Sequence, residues 1–345
     1  MKPPITFLLP GDNLSGGVRV TALMGNLLLA RGHRVRIALP PRWRQVWADP
    51  SLLASGRGWL HTFGGTRAPY RDINQLRFLP GEIVISVGTY MIADLQRLAA
   101  PGVIKVRYNH GLPVSMTPAQ RAAWSLPLPT ITVSPTLVPE LERLSGRPVR
   151  AVIPNGIDRN QYFPAPGVRR DAVGTIFSVH PNKAPRDILT LMQLVAGAFP
   201  DLPRTVFGTE PRPPELPPGP YERSPGIERV RELYSRALVW LLASHTEGLP
   251  GPVLEAMACG AVVISTNNDG SRALIRDGEN GLLVPKGDFS AFLDRLRLVR
   301  ENPGLRARLV AGGFATAGQF TWAAAADRME EFLATLGDRQ LATSP

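Results

Sequence analysis

At 345 residues, 44% apolar and 19% charged, the chain is long enough for two domains of ordinary size and too apolar for disorder. No run approaches the roughly 18 apolar residues of a membrane span, and the single cysteine, Cys259, excludes a disulfide framework or a multi-Cys zinc site, so a reducing, cytoplasmic setting is expected. The formal charge of +11 lies in residues 1–150, which hold 18 Lys+Arg against 7 Asp+Glu, an asymmetry that fits nucleic acid or an anionic membrane surface; with only four lysines in the chain, it also fits a genomic bias towards arginine.

The opening ITFLLP (5–10) reads as a buried strand and is too short for a signal-peptide core. The loop GDNLSGG (11–17) follows and opens into a helix over 18–30, whose spacing predicts one apolar face of Val20, Leu23, Leu27 and Ala30, with Gly32 as the stop. VRIALP (35–40), EIVISVG (82–88), VIKVRY (103–108) and TITVS (130–134) are further β-rich runs, separated by segments long enough for helices. Residues 41–80 support no assignment. AVIPNGID (151–158) closes this series, and QYFPAPG (161–167) reads as a linker.

A second alternating series runs through TIFSVH (175–180), RTVFG (204–208), LVWLLAS (238–244), AVVIST (261–266) and GLLVP (281–285), with helices from Phe289 onward. Glu210–Pro225, with seven prolines, reads as an exposed loop. Strand–helix alternation on both sides predicts an α/β architecture of two doubly wound parallel sheets, which bind ligands beyond the C-terminal ends of their strands. The expected domains are 1–160 and 161–322, with 323–345 a helix returning towards the first.

Three stretches could carry chemistry. Glycines at 11–17 let a ligand approach the main chain, and the helix start attracts anions. The spacing is neither GxGxxG nor GxxxxGK[ST], which weakens NAD and P-loop readings and leaves a plain strand-to-helix turn open. In SHTEGLPGPVLEAMACG (244–260), Glu247 follows an apolar strand, Gly251 and Pro252 start a helix, and Glu255 falls in its first two turns. A carboxylate there can accept two ribose hydroxyls, or merely complement the helix dipole. No D-x-D occurs and the acidic residues do not cluster at metal spacings, so a donor held by a divalent ion is disfavoured.

The 244–260 stretch resembles the E-x7-E signature of the retaining GT-B glycosyltransferases of family 4, commonly S-x-x-E-G-F-G-x-P-x-x-E-A-M-A-x-G. The resemblance extends to GGVRV (16–20), RGHRV (31–35), VIPNGID (152–158), NDG (268–270), DGENGLLVPKGD (277–288) and FTW (320–322), and is weak over 41–80 and 209–226. It implies a GT-B fold, two Rossmann-like domains facing a central cleft, with the acceptor bound by the first and the donor by the second. It implies further that Glu255 holds the ribose of a nucleotide-diphosphate sugar and that Glu247 and His110 act at the donor sugar. The N–H groups of Gly248, Leu249 and Gly251 would bind sugar hydroxyls, and Gly16, Gly17, His180, Lys183 and Arg186 would face the diphosphate. Here the chain departs from the pattern: Leu249 replaces Phe, Pro250 replaces a Gly and its N–H, and His180 replaces an Arg.

The implied reaction is retaining transfer of a sugar to an acceptor hydroxyl in envelope glycan or glycolipid synthesis, with no cofactor beyond the nucleotide-sugar and no metal. The acceptor would be a glycan, a lipid-linked sugar or a small molecule. Nucleic acid is not expected as a partner. Arg42, Arg44 and Arg57, interleaved with Trp43, Trp47 and Trp59, are the expected contacts to an anionic membrane on the cytoplasmic face. The rival readings are a GT-B epimerase or phosphorylase and a non-catalytic nucleotide-sugar or glycan-binding protein. His33, in the R-G-H turn, is expected to be structural.

Overall fold

The computed structural model describes residues 2–48, 58–112 and 116–342. The chain divides into two compact units, Met1–Asn155 with Trp322–Pro345, and Gly156–Thr321. Each is built on the parallel sheet expected from its β-branched runs, apolar on both faces and therefore covered on both faces.

In the first unit, β1 (Ile5–Leu8), β2 (Val35–Leu39), β3 (Thr66–Pro69), β4 (Ile83–Val87), β5 (Ile104–Asn109), β6 (Thr130–Thr132) and β7 (Val149–Val152) lie in the order β3-β2-β1-β4-β5-β6-β7. All neighbours are parallel. Helices α1 (Gly16–Ala30), α2 (Arg42–Ala48), α3 (Ile92–Arg97), α4 (Pro118–Trp124) and α5 (Val138–Ser145) alternate with them. In the second unit, β8 (Ala172–Phe177), β9 (Arg204–Gly208), β10 (Tyr221–Arg223), β11 (Ala237–Leu242), β12 (Val262–Thr266) and β13 (Leu282–Val284) run in the order β10-β9-β8-β11-β12-β13, again parallel. Its helices are α6 (Pro185–Ala198), α7 (Ile227–Arg236), α8 (Gly251–Ala258), α9 (Asp269–Leu274), α10 (Phe289–Glu301) and α11 (Pro303–Gln319). The last helix, α12 (Trp322–Ala342), belongs to the first unit, where Glu330 meets Lys2, Arg31 and His33.

The strand order reverses at β1/β4 in the first sheet and at β8/β11 in the second. Connections leave such a point in opposite directions, which opens a crevice at the carboxyl ends of the two strands. The second sheet packs its core with Val173, Leu191, Met192, Leu241 and Ile264. An aromatic group of Phe207, Tyr234 and Trp240 adds to the buried interior, Tyr234 and Trp240 having ring centres 4.4 Å apart. Gly174 is required beneath it, since a Cβ there would lie 2.3 Å from the Trp240 ring.

Three local expectations are corrected. Helix α1 buries Val20 of the expected face together with Val18, Thr21, Ala22, Met24, Gly25 and Leu28, while Leu23 and Leu27 are half-buried and Ala30 is exposed. The turn at Trp59–Thr62 packs on a second side of this helix, bringing the Phe63 ring within 2.7 Å of where a Cβ on Gly25 would stand. Residues 161–167 are not a free linker: Tyr162 is buried against Tyr234, and Ala165 N donates to Ser235 Oγ at 2.9 Å. Within the proline-rich 210–225 segment, Leu216 joins the core and Tyr221–Arg223 forms an edge strand. The unassigned 41–80 region supplies α2 and β3, another edge strand. Both edge strands are short and carry arginine, so no alternating pattern marks them.

Candidate functional site

The crevice of the first unit begins in the loop after β1. Asn13 Oδ1 accepts Ser15 N at 3.0 Å, and Asp12 Oδ1 accepts Leu60 N at 3.0 Å. This fixes the approach to α1, whose N-cap Ser15 makes no side-chain cap bond. A Cβ on Gly16 would meet nothing within 4 Å, and one on Gly17 would lie 3.5 Å from His110 Nδ1. The open start of α1 and His110 therefore share one end of the sheet. His110 stands edge-on to Tyr108, ring centres 4.3 Å apart. Both of its ring nitrogens are enclosed and have no hydrogen-bond partner among the described residues, as is true of the side-chain amide of the fully buried Asn109. Burial pushes the imidazole down to about 4, so it is neutral at pH 7.

In the second unit the loop after β8 carries His180 and Lys183, and the loop after β11 carries Glu247. Asn182 O joins the two loops by accepting the N–H of His245 at 2.9 Å and of Thr246 at 3.3 Å. Lys183 Nζ then reaches Glu247, 2.6 and 2.8 Å from its two carboxylate oxygens. Glu247 is buried while Lys183 stays one-third exposed, so the cation retains access to solvent. His180 caps the turn Pro181–Lys183, its Nδ1 accepting Asn182 N at 3.3 Å. Ala184, which links this turn to α6, takes φ 49° and ψ 62°, a left-handed conformation costly for a residue with a Cβ. Arg186 lies exposed in the first turn of α6.

Helix α8 begins at Gly251, as expected, with Pro252 in its first turn. Pro250 and Pro252 carry no N–H, and Val253 N is taken by Pro250 O at 3.1 Å. Gly248, Leu249 and Gly251 are left as the main-chain donors of this stretch. Glu255 is buried on α8, and Tyr234 donates its hydroxyl to Glu255 Oε2 at 2.9 Å. Asn268 caps α9 and donates to Ser244 O at 3.0 Å, supporting the loop from below. Gly270 passes so close that a Cβ would lie 2.6 Å from the Glu247 Cβ.

Lys183 and Glu247 thus meet at the strand-order reversal, with Glu255 farther along the adjoining helix. A cavity of about 340 Å³ lies instead at the C-terminal end of α8, lined by Tyr162, Phe163, Ala258 and Phe314 with Arg159, and holds none of the candidate residues. Of the expected membrane contacts, Arg44 donates to both oxygens of the buried Asp94 at 3.0 Å, and Trp59 lies under Arg19, 5.0 Å from its ring centre. Arg57 lies outside the described residues, as does the Trp47 side chain, leaving Arg42 and Trp43 exposed. No helix among the described residues is long and apolar enough to cross a membrane.

Residues 223–315 match the family described as glycosyl transferases group 1. That span holds Glu247 and Glu255. Over 96 residues the chain is 40% identical to a D-inositol 3-phosphate glycosyltransferase of Acidothermus cellulolyticus, covering 28% of this chain and 21% of that protein. Over 98 residues it is 37% identical to the lipopolysaccharide core biosynthesis glycosyltransferase LpsE of Rhizobium meliloti, covering 28% and 29%. The match thus spans less than a third of either relative. The likeness in fold is wider. HepE from Anabaena in complex with UDP-glucose aligns over 96% of this chain and 99% of its own, with TM-score 0.75 at 16% identity. The fold is GT-B.

Sequence reasoning missed Tyr234, which holds Glu255, and the His245–Asp187 pair beside Lys183. It also missed Arg107, fully buried on β5, which donates to the carbonyls of Ala123 and Trp124 at the end of α4 and stacks on Trp124 at 4.5 Å. Burial lowers its pKa to about 10. The only sequence signal was an arginine between Val106 and Tyr108 in a β-rich run.

Proposed function

We propose that the chain is a retaining glycosyltransferase that moves a sugar from a nucleotide-diphosphate sugar to an acceptor hydroxyl. The observation that carries this reading is the meeting of Lys183 and Glu247 at the β8/β11 reversal, with Glu255 on the helix that follows. Group 1 glycosyltransferase similarity over 223–315 and the fold shared with a UDP-glucose complex support it.

In this reading Glu255 accepts the ribose hydroxyls, Lys183 and Arg186 face the diphosphate, and Gly248, Leu249 and Gly251 offer N–H groups to the sugar. The bond from the anomeric carbon to the phosphate oxygen breaks as the bond to the acceptor oxygen forms on the same face. The acceptor's proton passes to the departing diphosphate, so no protein nucleophile is needed. Cations and helix starts stabilise the charge that develops on the leaving group. Glu247 orients the sugar. Lys183 is paired with Glu247, and an incoming diphosphate takes Lys183 from it. Envelope glycan or glycolipid synthesis is the setting that the lipopolysaccharide core relative supports.

Calorimetry with UDP, GDP, ADP and dTDP tests the reading. Glu255→Ala is expected to raise the dissociation constant of the nucleotide that binds by about tenfold to a hundredfold, the cost of losing hydrogen bonds to a charged acceptor. Glu247→Gln is expected to lower turnover more than nucleotide affinity. Unchanged affinity in Glu255→Ala would reduce that residue to a partner of Tyr234, and activity lost to EDTA and restored by a divalent ion would refute metal-free transfer.

A further inference from the structure

The loops after β8 and β11 are joined through the main chain by the two bonds to Asn182 O, and through side chains by Lys183 and Glu247. On top of this junction His245 Nε2 lies 2.7 Å from Asp187 Oδ2. An ionised carboxylate can only accept, so Nε2 carries the proton. The two side chains are 47% and 24% exposed, and pairs at such a surface add little to stability. Their position is more informative than their strength. Asp187 occupies the first turn of α6, beside Lys183 and Arg186. The positive end of a helix favours any anion, so this carboxylate competes with a phosphate for the same turn and repels it. Because the main chain already holds the loops together, the contribution left to the imidazole is its hold on Asp187.

We infer that His245 is a positioning residue for the donor diphosphate: by binding the Asp187 carboxylate it keeps that charge from the turn where Lys183 and Arg186 meet the phosphates. The inference rests on the proposed function and adds a residue two positions before Glu247, outside the E-x7-E motif itself. Binding of UDP, GDP, ADP and dTDP to the full chain, and of the monophosphate matching whichever diphosphate binds, tests it by calorimetry. His245→Ala is expected to raise the diphosphate dissociation constant about three- to tenfold, the effect of one uncompensated charge several ångströms away, with less effect on the monophosphate. The difference shrinks as salt is raised. His245→Ala with Asp187→Asn restores the affinity of the unaltered chain, and Asp187→Asn alone binds at least as tightly as that chain, which keeps the test open where His245→Ala does not fold. A double variant that binds no better than His245→Ala, or a His245→Ala variant that binds the diphosphate as the unaltered chain does, overturns the inference and leaves the functional reading standing. If none of the four diphosphates binds the unaltered chain, both fall.

Discussion

Lys183 and Glu247 are 64 residues apart in sequence, yet their charged atoms are 2.6 Å apart. Packing as well as charge holds Glu247 there. Gly270 runs against its main chain, where an added Cβ would sit 2.8 Å from the Glu247 carbonyl carbon and oxygen. Neither neighbour is the end of a flexible side chain, so Gly270→Ala must move the Glu247 loop. We expect a loss of about 1–3 kcal/mol in denaturant unfolding, as for overpacked sites, and a larger fall in turnover than in nucleotide affinity, because the first atoms displaced are those of Glu247, which the proposed function assigns to the sugar. Equal stability and activity would show that the loop yields without consequence. His110 makes the same point for the other unit. Its place near a sheet end was legible in VRYNHG, whereas its neutrality follows from an enclosure that only the folded chain creates.

At the scale of elements, the strands of both sheets were legible because buried parallel strands are continuous apolar runs. The edge strands β3 and β10 were not, because TRAP and YER hold no apolar run, whereas the equally short edge strand β13 is the apolar LLV. Helix α1 was found with its buried face misplaced, since periodicity registers apolar residues but not how many sides of a helix are covered. The junction between the Pro181–Lys183 turn and α6 depends on Ala184 in a left-handed conformation. That conformation costs a non-glycine residue roughly 1–2 kcal/mol, and glycine returns about 0.4–1 kcal/mol of this through unfolded-chain entropy. Ala184→Gly should therefore gain about 0.5–1 kcal/mol in urea unfolding while leaving nucleotide affinity unchanged. A less stable variant would mean that the turn does not hold this conformation in solution.

At the scale of the whole molecule, α12 joins residues about 300 positions apart. Glu330 accepts from Lys2 at 2.5 Å, from Arg31 at 2.8 Å and from His33 at 3.0 Å, and Asp327 pairs with Arg31 at 2.6 Å. Hydrogen bonds from Lys2 and Arg31, the largest causes, with His33, lower the Glu330 pKa from 4.5 to about 2. A carboxylate depressed in the folded state contributes stability that is fully present above its unfolded pKa and lost as pH falls through the folded one. Thermal unfolding should thus show a loss between about pH 4.5 and 2 that Glu330→Gln removes. An unchanged acid limb in that variant would place the acid sensitivity elsewhere. His33 is structural as expected, through a partner that no local pattern names.

By itself the sequence determined the two parallel sheets, the helix at Gly251 and the residues at the strand ends, because each depends on local pattern: apolar runs, prolines in a first turn, and glycines at chain reversals. Tertiary structure alone decided which charges meet. Tyr234 with Glu255, Lys183 with Glu247, His245 with Asp187, Arg44 with Asp94 and Arg107 with the end of α4 are pairings across elements. Each forms because strand order brings separate loops to one sheet end or one face, and because a buried charge must find a partner or lose its ionisation.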